Sequence, residues 1–105
     1  MAAEPMRVRA VQEGEFIEVK ILMKHRMLSR LSWDSRGQLI LPHFIQTVRG
    51  YCNDKQVLYV HFGGSVARDP YFSFKFSGGK LGDKVVISWV DTEGDQRSDE
   101  ATITA

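Results

Sequence analysis

Hydrophobic and polar residues alternate with a period of two along most of this 105-residue chain. A period of two places successive side chains on opposite faces, so each alternating run predicts a half-buried β-strand. The clearest runs have their apolar rows at Ile17–Met23, Leu58–Phe62 and Phe72–Phe76. A fourth run, Val85–Val90, is apolar at almost every position and predicts a strand that is covered on both faces.

Shorter apolar runs separated by turn signals complete the predicted architecture. They predict further strands at Met6–Val11, Leu39–Ile45, Thr47–Cys52 and Asp99–Thr104. Pro42 interrupts one of these runs, which fits an edge strand, because an edge position does not need the missing N–H. The pattern predicts an all-β, immunoglobulin-like β-sandwich of seven to eight short, mainly antiparallel strands. The length fits one domain spanning residues 1–105.

Composition excludes several classes of function. The net charge of +1 argues against a nucleic-acid or membrane binder that works by bulk charge. No apolar run reaches the length of a membrane span, and the opening "MAAEPMRVRA" has no apolar core of a signal peptide. The single cysteine, Cys52, rules out an intrachain disulfide. Taken alone, these facts predict a cytoplasmic protein that binds neither nucleic acid nor membrane.

Charge is segregated along the chain. Cations dominate one segment and acids another, namely Lys20, Lys24, Arg26, Arg30 and Arg36 in the first, and Asp91, Glu93, Asp95, Asp99 and Glu100 in the second. Two interpretations remain open. The segments are either solvated loops or surfaces that orient a partner. The carboxylates of the acidic turn are adequately explained as solvated hairpin charges.

Three histidines and one cysteine raise the hypothesis of a metal site. His25, His43, Cys52 and His61 are separated by eight or more residues, without the close-spaced pair that metal sites usually contain. "HRM" and "LPHFI" locally resemble the immunoglobulin-like superoxide reductases, but those need four histidines and a cysteine. We therefore expect no metal or other cofactor, and a superoxide-reductase-type metalloprotein is the alternative. The simplest structural interpretations are that His43 is partly buried and hydrogen-bonded to the backbone, and that Cys52 is buried and unreactive. A reactive thiol or an interchain disulfide at Cys52 stays open.

Several segments follow one another along the chain: "MRVRA", "VKILMKHRM", "LILPHFIQ", "NDKQVL", "RDPYFSFKF", "GDKVVISWVDTEGD" and "DEATI". Taken in this order, they resemble the SoxZ family of bacterial sulfur oxidation. The resemblance implies a non-catalytic subunit that forms a heterodimer with SoxY. SoxY carries sulfur intermediates of thiosulfate oxidation on a cysteine in a flexible tail, and the complex presents them transiently to the other enzymes of sulfur oxidation. This chain ends in "TITA" without such a tail. The resemblance also implies a periplasmic location, reached by export together with SoxY, and the isolated chain is a candidate homodimer.

Two surfaces are candidates for partner binding. The first is the basic loop, where the chain reads "LSRLSWDSRGQ" and departs from the family pattern. Its charges would guide approach and its aromatic ring would supply buried area, and its residues are Arg26, Arg30, Trp33 and Arg36. The second is an outward sheet face formed by Tyr59, His61 and Tyr71. Instead of this second surface, the partner could add a strand to the sheet edge that contains Pro42. The alternative for the basic loop is that it has only a structural role.

Overall fold

The structure is a computed structural model that describes residues 4–25, 27, 32–62 and 68–105. Within these ranges the chain forms strands and no helix, which confirms the all-β prediction. The strands are β1 (Arg7–Glu13), β2 (Phe16–Leu22), β3 (Ser32–Trp33), β4 (Leu39–Ile40), β5 (Ile45–Cys52), β6 (Lys55–His61), β7 (Tyr71–Ser77), β8 (Lys84–Asp91) and β9 (Gln96–Thr102). The described residues include no helix long and apolar enough to cross a membrane.

Two antiparallel sheets form the sandwich. One has the strand order β1-β2-β7 and the other β6-β5-β8-β9, while β3 and β4 pair as a small separate hairpin. In the first sheet Ile17 lies opposite Phe76 and Ile21 opposite Phe72. These cross-strand pairs place the apolar rows predicted from the sequence on one face of the sheet.

The core lies between the inner faces of the two sheets. Its fully buried side chains include Val19 and Ile21 of β2, and Ile87 and Trp89 of β8. Burial of a large apolar side chain contributes roughly 1.5–3 kcal/mol, so these four side chains make a substantial contribution to stability. Gly50 in β5 fits this packing closely, because a Cβ there would lie 3.0 Å from atoms of both Ile87 and Leu58, and these side chains would have to shift.

One side of the sandwich is closed where β1 meets β9 and the C-terminal residues. The Gln12 N–H donates to the Thr104 carbonyl over 2.8 Å, and the Thr104 N–H donates to the Ala10 carbonyl over 3.1 Å. The Met6 N–H donates to Asp99 Oδ2, and Arg97 donates to both oxygens of the same carboxylate. The two sheets are therefore joined by hydrogen bonds as well as by packing.

Two predicted strands differ most from the structure in their limits. The predicted strand Leu39–Ile45 is broken, because β4 ends at Ile40 and β5 begins at Ile45. Pro42 lies between these strands, so the edge strand proposed around it does not exist in this form. The last strand begins at Gln96 rather than Asp99. Both errors lie beside a group of buried polar residues that the alternation does not reveal.

Candidate functional site

Two histidines from distant parts of the chain converge on one carboxylate. His25 Nε2 lies 3.0 Å from Asp91 Oδ2, and His43 Nε2 lies 2.6 Å from the same oxygen. The side chains are 5%, 21% and 1% exposed for His25, His43 and Asp91. We call these three residues the Asp91 cluster. The imidazole rings of the two histidines meet edge to face, with their centroids 4.7 Å apart.

The segment after β2 holds His25 in place. The His25 N–H donates to Asp69 Oδ1 over 3.0 Å, and the Asp69 N–H donates to the His25 carbonyl over 2.9 Å. Asp69 has a φ of 50°, a left-handed conformation that aspartate tolerates better than most residues. The adjacent Met23 N–H donates to the Pro70 carbonyl. The residues just before β7 therefore fix the backbone from which the His25 ring enters the sandwich.

A pair of hydrogen bonds places His43 beside Asp91. The Thr92 N–H donates to the Phe44 carbonyl over 3.0 Å, and the Phe44 N–H donates to the Thr92 hydroxyl over 3.3 Å. Ile45 then pairs with Asp91 across β5 and β8. His43 also lies 3.5 Å from a carboxylate oxygen of Glu93. The prediction of a histidine bonded to backbone is wrong, because its ring nitrogen contacts a buried carboxylate instead.

Asp91 also organises the turn between β8 and β9. Its Oδ1 accepts hydrogen bonds from the N–H groups of Glu93 and Asp95, over 3.0 and 2.9 Å. Gly94 has a φ of 86° and donates to the Asp91 carbonyl, which completes the turn. A carboxylate offers about four acceptor positions, and here two donors reach each oxygen. All of its acceptor capacity is used within the protein.

The environment of Asp91 favours the ionised carboxylate. Burial raises the pKa of this group, but hydrogen bonds from His25, His43 and the two backbone N–H groups lower it more strongly, so the pKa lies below the usual value of 3.8. An isolated buried carboxylate would be costly, and the four donors offset that cost. The prediction of solvated charges in the acidic turn is therefore wrong for Asp91.

The hydrogen bonds of His25 fix which of its nitrogens carries a proton. The Met27 N–H donates to His25 Nδ1 over 3.0 Å, so Nδ1 is an acceptor and holds no proton. The proton of the neutral ring is then on Nε2, which donates it to Asp91. Met27 itself has a φ of 53° and accepts a weak hydrogen bond from the Ile45 N–H through its sulfur. His25 is thus held at both ring nitrogens.

The Asp91 cluster has the residue types of a metal site but not the required protonation. One donor atom from each of the three residues lies within 4.8 Å of the other two. A metal ion on His25 Nε2 would need the lone pair of that nitrogen and would move the ring proton to Nδ1. That proton would then face the Met27 N–H. In this arrangement the cluster joins segments of the chain, and its His25 is not a free ligand.

Cys52 lies far from the cluster. Cys52 ends β5 and pairs with Lys55 and Val85, whereas Ile45 at the other end of β5 pairs with Asp91. Cys52 is 5% exposed, and burial together with the nearby Asp83 carboxylate raises the pKa of its thiol. A buried thiol with a raised pKa forms little of the reactive thiolate. The interpretation of Cys52 as a buried, unreactive side chain agrees with this geometry. Cys52 and the Asp91 cluster lie at opposite ends of β5, too far apart to bind one metal ion together.

The structure separates the predicted partner-binding residues. Trp33 lies in β3 opposite Leu39 and is 69% exposed, and Arg36 lies exposed in the following turn, where its N–H donates to Asp34. Arg26 and Arg30 lie outside the described residues. Tyr59 and His61 point outward from β6, but Tyr71 belongs to β7 in the other sheet. The three therefore do not share one sheet face.

Sequence reasoning missed Asp91 and the convergence of the two histidines on it. The sequence signal for Asp91 is weak, because an aspartate shortly before Gly94 is typical of an ordinary hairpin turn. His25 and His43 are 18 positions apart, and nothing local shows that both rings turn inward. The apolar run of β8 was the available clue. Asp91 continues the inward row of Ile87 and Trp89, so its parity predicts burial.

Comparison with known proteins gives a family and a fold. The family model described as "Sulphur oxidation protein SoxZ" matches residues 6–102. This chain belongs to the SoxZ family. A crystal structure of superoxide reductase in the oxidized state, at 2.0 Å resolution, is similar with a TM-score of 0.66 and 18% sequence identity. The similarity covers 97% of this chain and 89% of that one. No curated protein matches the sequence.

The two comparisons carry different weight for this SoxZ-family chain. The family match spans nearly the whole chain and confirms the resemblance seen in the sequence. The structural match confirms the immunoglobulin-like sandwich, and at 18% identity it shows the fold alone. A shared sandwich hosts many unrelated functions, so the chemistry of the neighbour does not transfer with it.

Proposed function

We propose that this chain is the non-catalytic subunit of a sulfur-carrier complex, in which it pairs with SoxY. SoxY would bear the covalently bound sulfur intermediates of thiosulfate oxidation, and the complex would present them to the other enzymes of the pathway. The observation that carries the proposal is the family match over residues 6–102. The periplasm, reached by export with SoxY, is the proposed location.

The chemistry of this chain supports a binding role over a catalytic one. Cys52 is the only thiol, and it is buried with a raised pKa, which suits it poorly to carry sulfur. The Asp91 carboxylate has donors on both oxygens, so it has no acceptor position left for a substrate proton. The reactive sulfur chemistry is therefore assigned to the partner.

The proposal is tested with tagged SoxY and this chain, coexpressed and purified together. We expect a stable pair with an interface above ~1,200 Å² in total. After exposure to thiosulfate and the pathway enzymes, intact-mass spectrometry should find added sulfur on SoxY and none on this chain. Cys52→Ala is the control and should bind SoxY as the unchanged chain does. Added sulfur on Cys52, or turnover by this chain alone, would contradict the proposal.

The alternative, a small metalloprotein of superoxide-reductase type, has one observation in its favour. His25, His43 and Asp91 do converge. It is less well supported, because the protonation of His25 opposes ligation and Cys52 lies at the other end of β5. Metal analysis of the purified pair separates the two functions. Stoichiometric iron that is lost in His43→Gln would favour the metalloprotein.

A further inference from the structure

The outer faces of the two sheets differ in chemistry. The outer face of β1-β2-β7, here the charged face, presents Arg9, Glu13, Glu18, Lys20 and Lys75. Lys75 lies 3.5 Å from Glu13 and 4.0 Å from Glu18, and Lys20 lies 3.5 Å from Glu18. Phe16 and Tyr71 are also exposed on this face, but its interspersed charges of both signs are typical of a surface that stays in water.

The outer face of the four-stranded sheet carries fewer charges, and its exposed ion pair, Lys84 with Glu100 over 3.5 Å, lies at the β8-β9 side. Its centre, here the tyrosine face, consists of Arg49, Tyr51, Tyr59, Val86, Ser88 and Val90. The register places Tyr59, Arg49 and Ser88 in one row across β6, β5 and β8, and the Arg49 guanidinium lies 5.5 Å from the centre of the Tyr59 ring. Tyr59 is 56% exposed. An aromatic ring is thus presented to solvent beside a single cation.

β8 breaks the alternation that a solvated face requires. In an antiparallel sheet with one wet face, outward positions are polar. The outward positions of β8 include Val86 and Val90, both only half-buried within this chain. The strand has the sequence of one that is covered on both faces, and in the part of the chain that the structure describes the other sheet covers only its inner face.

The centre of the tyrosine face has the composition of a protein interface. Tyrosine and arginine are enriched in interface cores, and lysine, glutamate and aspartate are depleted. Four strands spaced ~4.8 Å apart and about seven residues long give a flat projection of roughly 19 by 23 Å. This flat area is roughly half of the ~800 Å² of accessible surface that each partner buries in a stable complex. The protruding side chains add further accessible surface to the flat area.

We propose that the tyrosine face is the surface on which SoxY docks, an inference that rests on the proposed function. The occupant must present a flat, weakly charged surface with one acceptor for Arg49. A nucleic acid or an anionic membrane would need a cationic field, and Arg49 is the only cation in this centre. A second copy of this chain is disfavoured, because a two-fold axis through the face would bring Arg49 towards its own copy.

Two serines provide a matched test. Ser88 lies on the tyrosine face opposite Arg49, and Ser73 lies on the charged face opposite Lys20. Ser88→Lys and Ser73→Lys therefore introduce the same side chain beside a cation in a neighbouring strand. Arg49→Ala and Lys20→Ala form a second matched pair. Circular dichroism and urea midpoints show that each variant is folded before its affinity for SoxY is measured by calorimetry.

We expect Ser88→Lys and Arg49→Ala to weaken SoxY binding by at least about 30-fold, and both controls to stay within about two-fold of the unchanged chain. If the unchanged chain binds SoxY and all four variants bind equally, the docking surface is wrong while the proposed function stands. If the unchanged chain does not bind SoxY, both are wrong. Self-association that only Ser88→Lys abolishes would assign the face to a second copy and overturn the choice of SoxY.

Discussion

The N–H of Met27 donates to Nδ1 of His25, and this hydrogen bond determines what His25 can do. Because Nδ1 accepts, Nε2 must donate, and among the described residues it reaches the Asp91 carboxylate, 3.0 Å away. One backbone group thus converts a potential ligand into a structural donor. The same reasoning does not apply to His43, whose Nε2 contacts Asp91 but whose ring is 21% exposed. The two histidines therefore differ in role although they share a partner.

Asp91→Asn should destabilise the protein at neutral pH by about 2–4 kcal/mol. An asparagine keeps the shape, but its NH₂ group must face either the two histidine donors or the two backbone N–H groups, which leaves buried donors unpaired. Urea unfolding followed by tryptophan fluorescence measures the loss. Asp95→Asn, on the exposed part of the same turn, is the matched control and should change the free energy of unfolding by less than about 0.5 kcal/mol.

The effect of Asp91 should also depend on pH in a defined direction. Its pKa in the folded protein lies below the usual 3.8, so the unfolded chain binds this proton more readily. The stability that the carboxylate contributes is fully present above the unfolded pKa and is lost as the pH falls through the folded value. The difference in unfolding free energy between the unchanged chain and Asp91→Asn should therefore shrink below about pH 4. A difference that stays constant down to pH 2 would contradict the ionised, four-donor carboxylate.

Glutamine substitutions should separate the two histidines. A glutamine amide can supply a donor near the position of Nε2, but it offers no acceptor at the position of Nδ1. His43→Gln should lower the free energy of unfolding by less than about 1 kcal/mol. His25→Gln should lower it by about 2–3 kcal/mol, because the buried Met27 N–H is left without an acceptor. Urea unfolding of both variants checks this order. Equal losses would show that the Met27 hydrogen bond does not distinguish the two rings.

The fold was predictable from the sequence to the extent that packing follows alternation. The inward rows of β2, β7 and β8 form the core as predicted, because a strand with one apolar face has one way to be buried. The Asp91 cluster was not predictable in this way. Its three residues come from three segments, and their contact depends on the pairing of β5 with β8 and on the loop before β7. Long-range pairing of this kind leaves no periodic mark in the sequence.

Cys52 should react slowly with a thiol reagent in the folded protein. The raised pKa lowers the thiolate fraction, and burial blocks access, so both effects act in the same direction. With Ellman's reagent at about pH 8, we expect reaction at least about 100-fold slower in buffer than in urea, on the scale set by rare opening of the core. Ser73→Cys in a Cys52→Ala background places the same thiol on an exposed strand position and should react at once. A fast native reaction at Cys52 would show that the end of β5 is open.

The three cations of the basic loop should act on the rate of association with SoxY rather than on the contact itself. Reversal of charge at Arg26, Arg30 and Arg36 should lower the association rate several-fold at about 50 mM salt and leave little salt dependence up to about 500 mM. Trp33→Ala should instead raise the dissociation rate, because the exposed ring contributes area and no charge. Surface plasmon resonance with immobilised SoxY measures both rates. The control variant reverses the same number of cations on the charged face, by Lys75→Glu, Lys20→Glu and Arg9→Glu. If association slows equally in this control, the effect comes from the net charge of the chain and not from the position of the loop. If the association rate of the loop variant is unchanged, the steering role is wrong and the charges of Arg36 and its neighbours are only solvated.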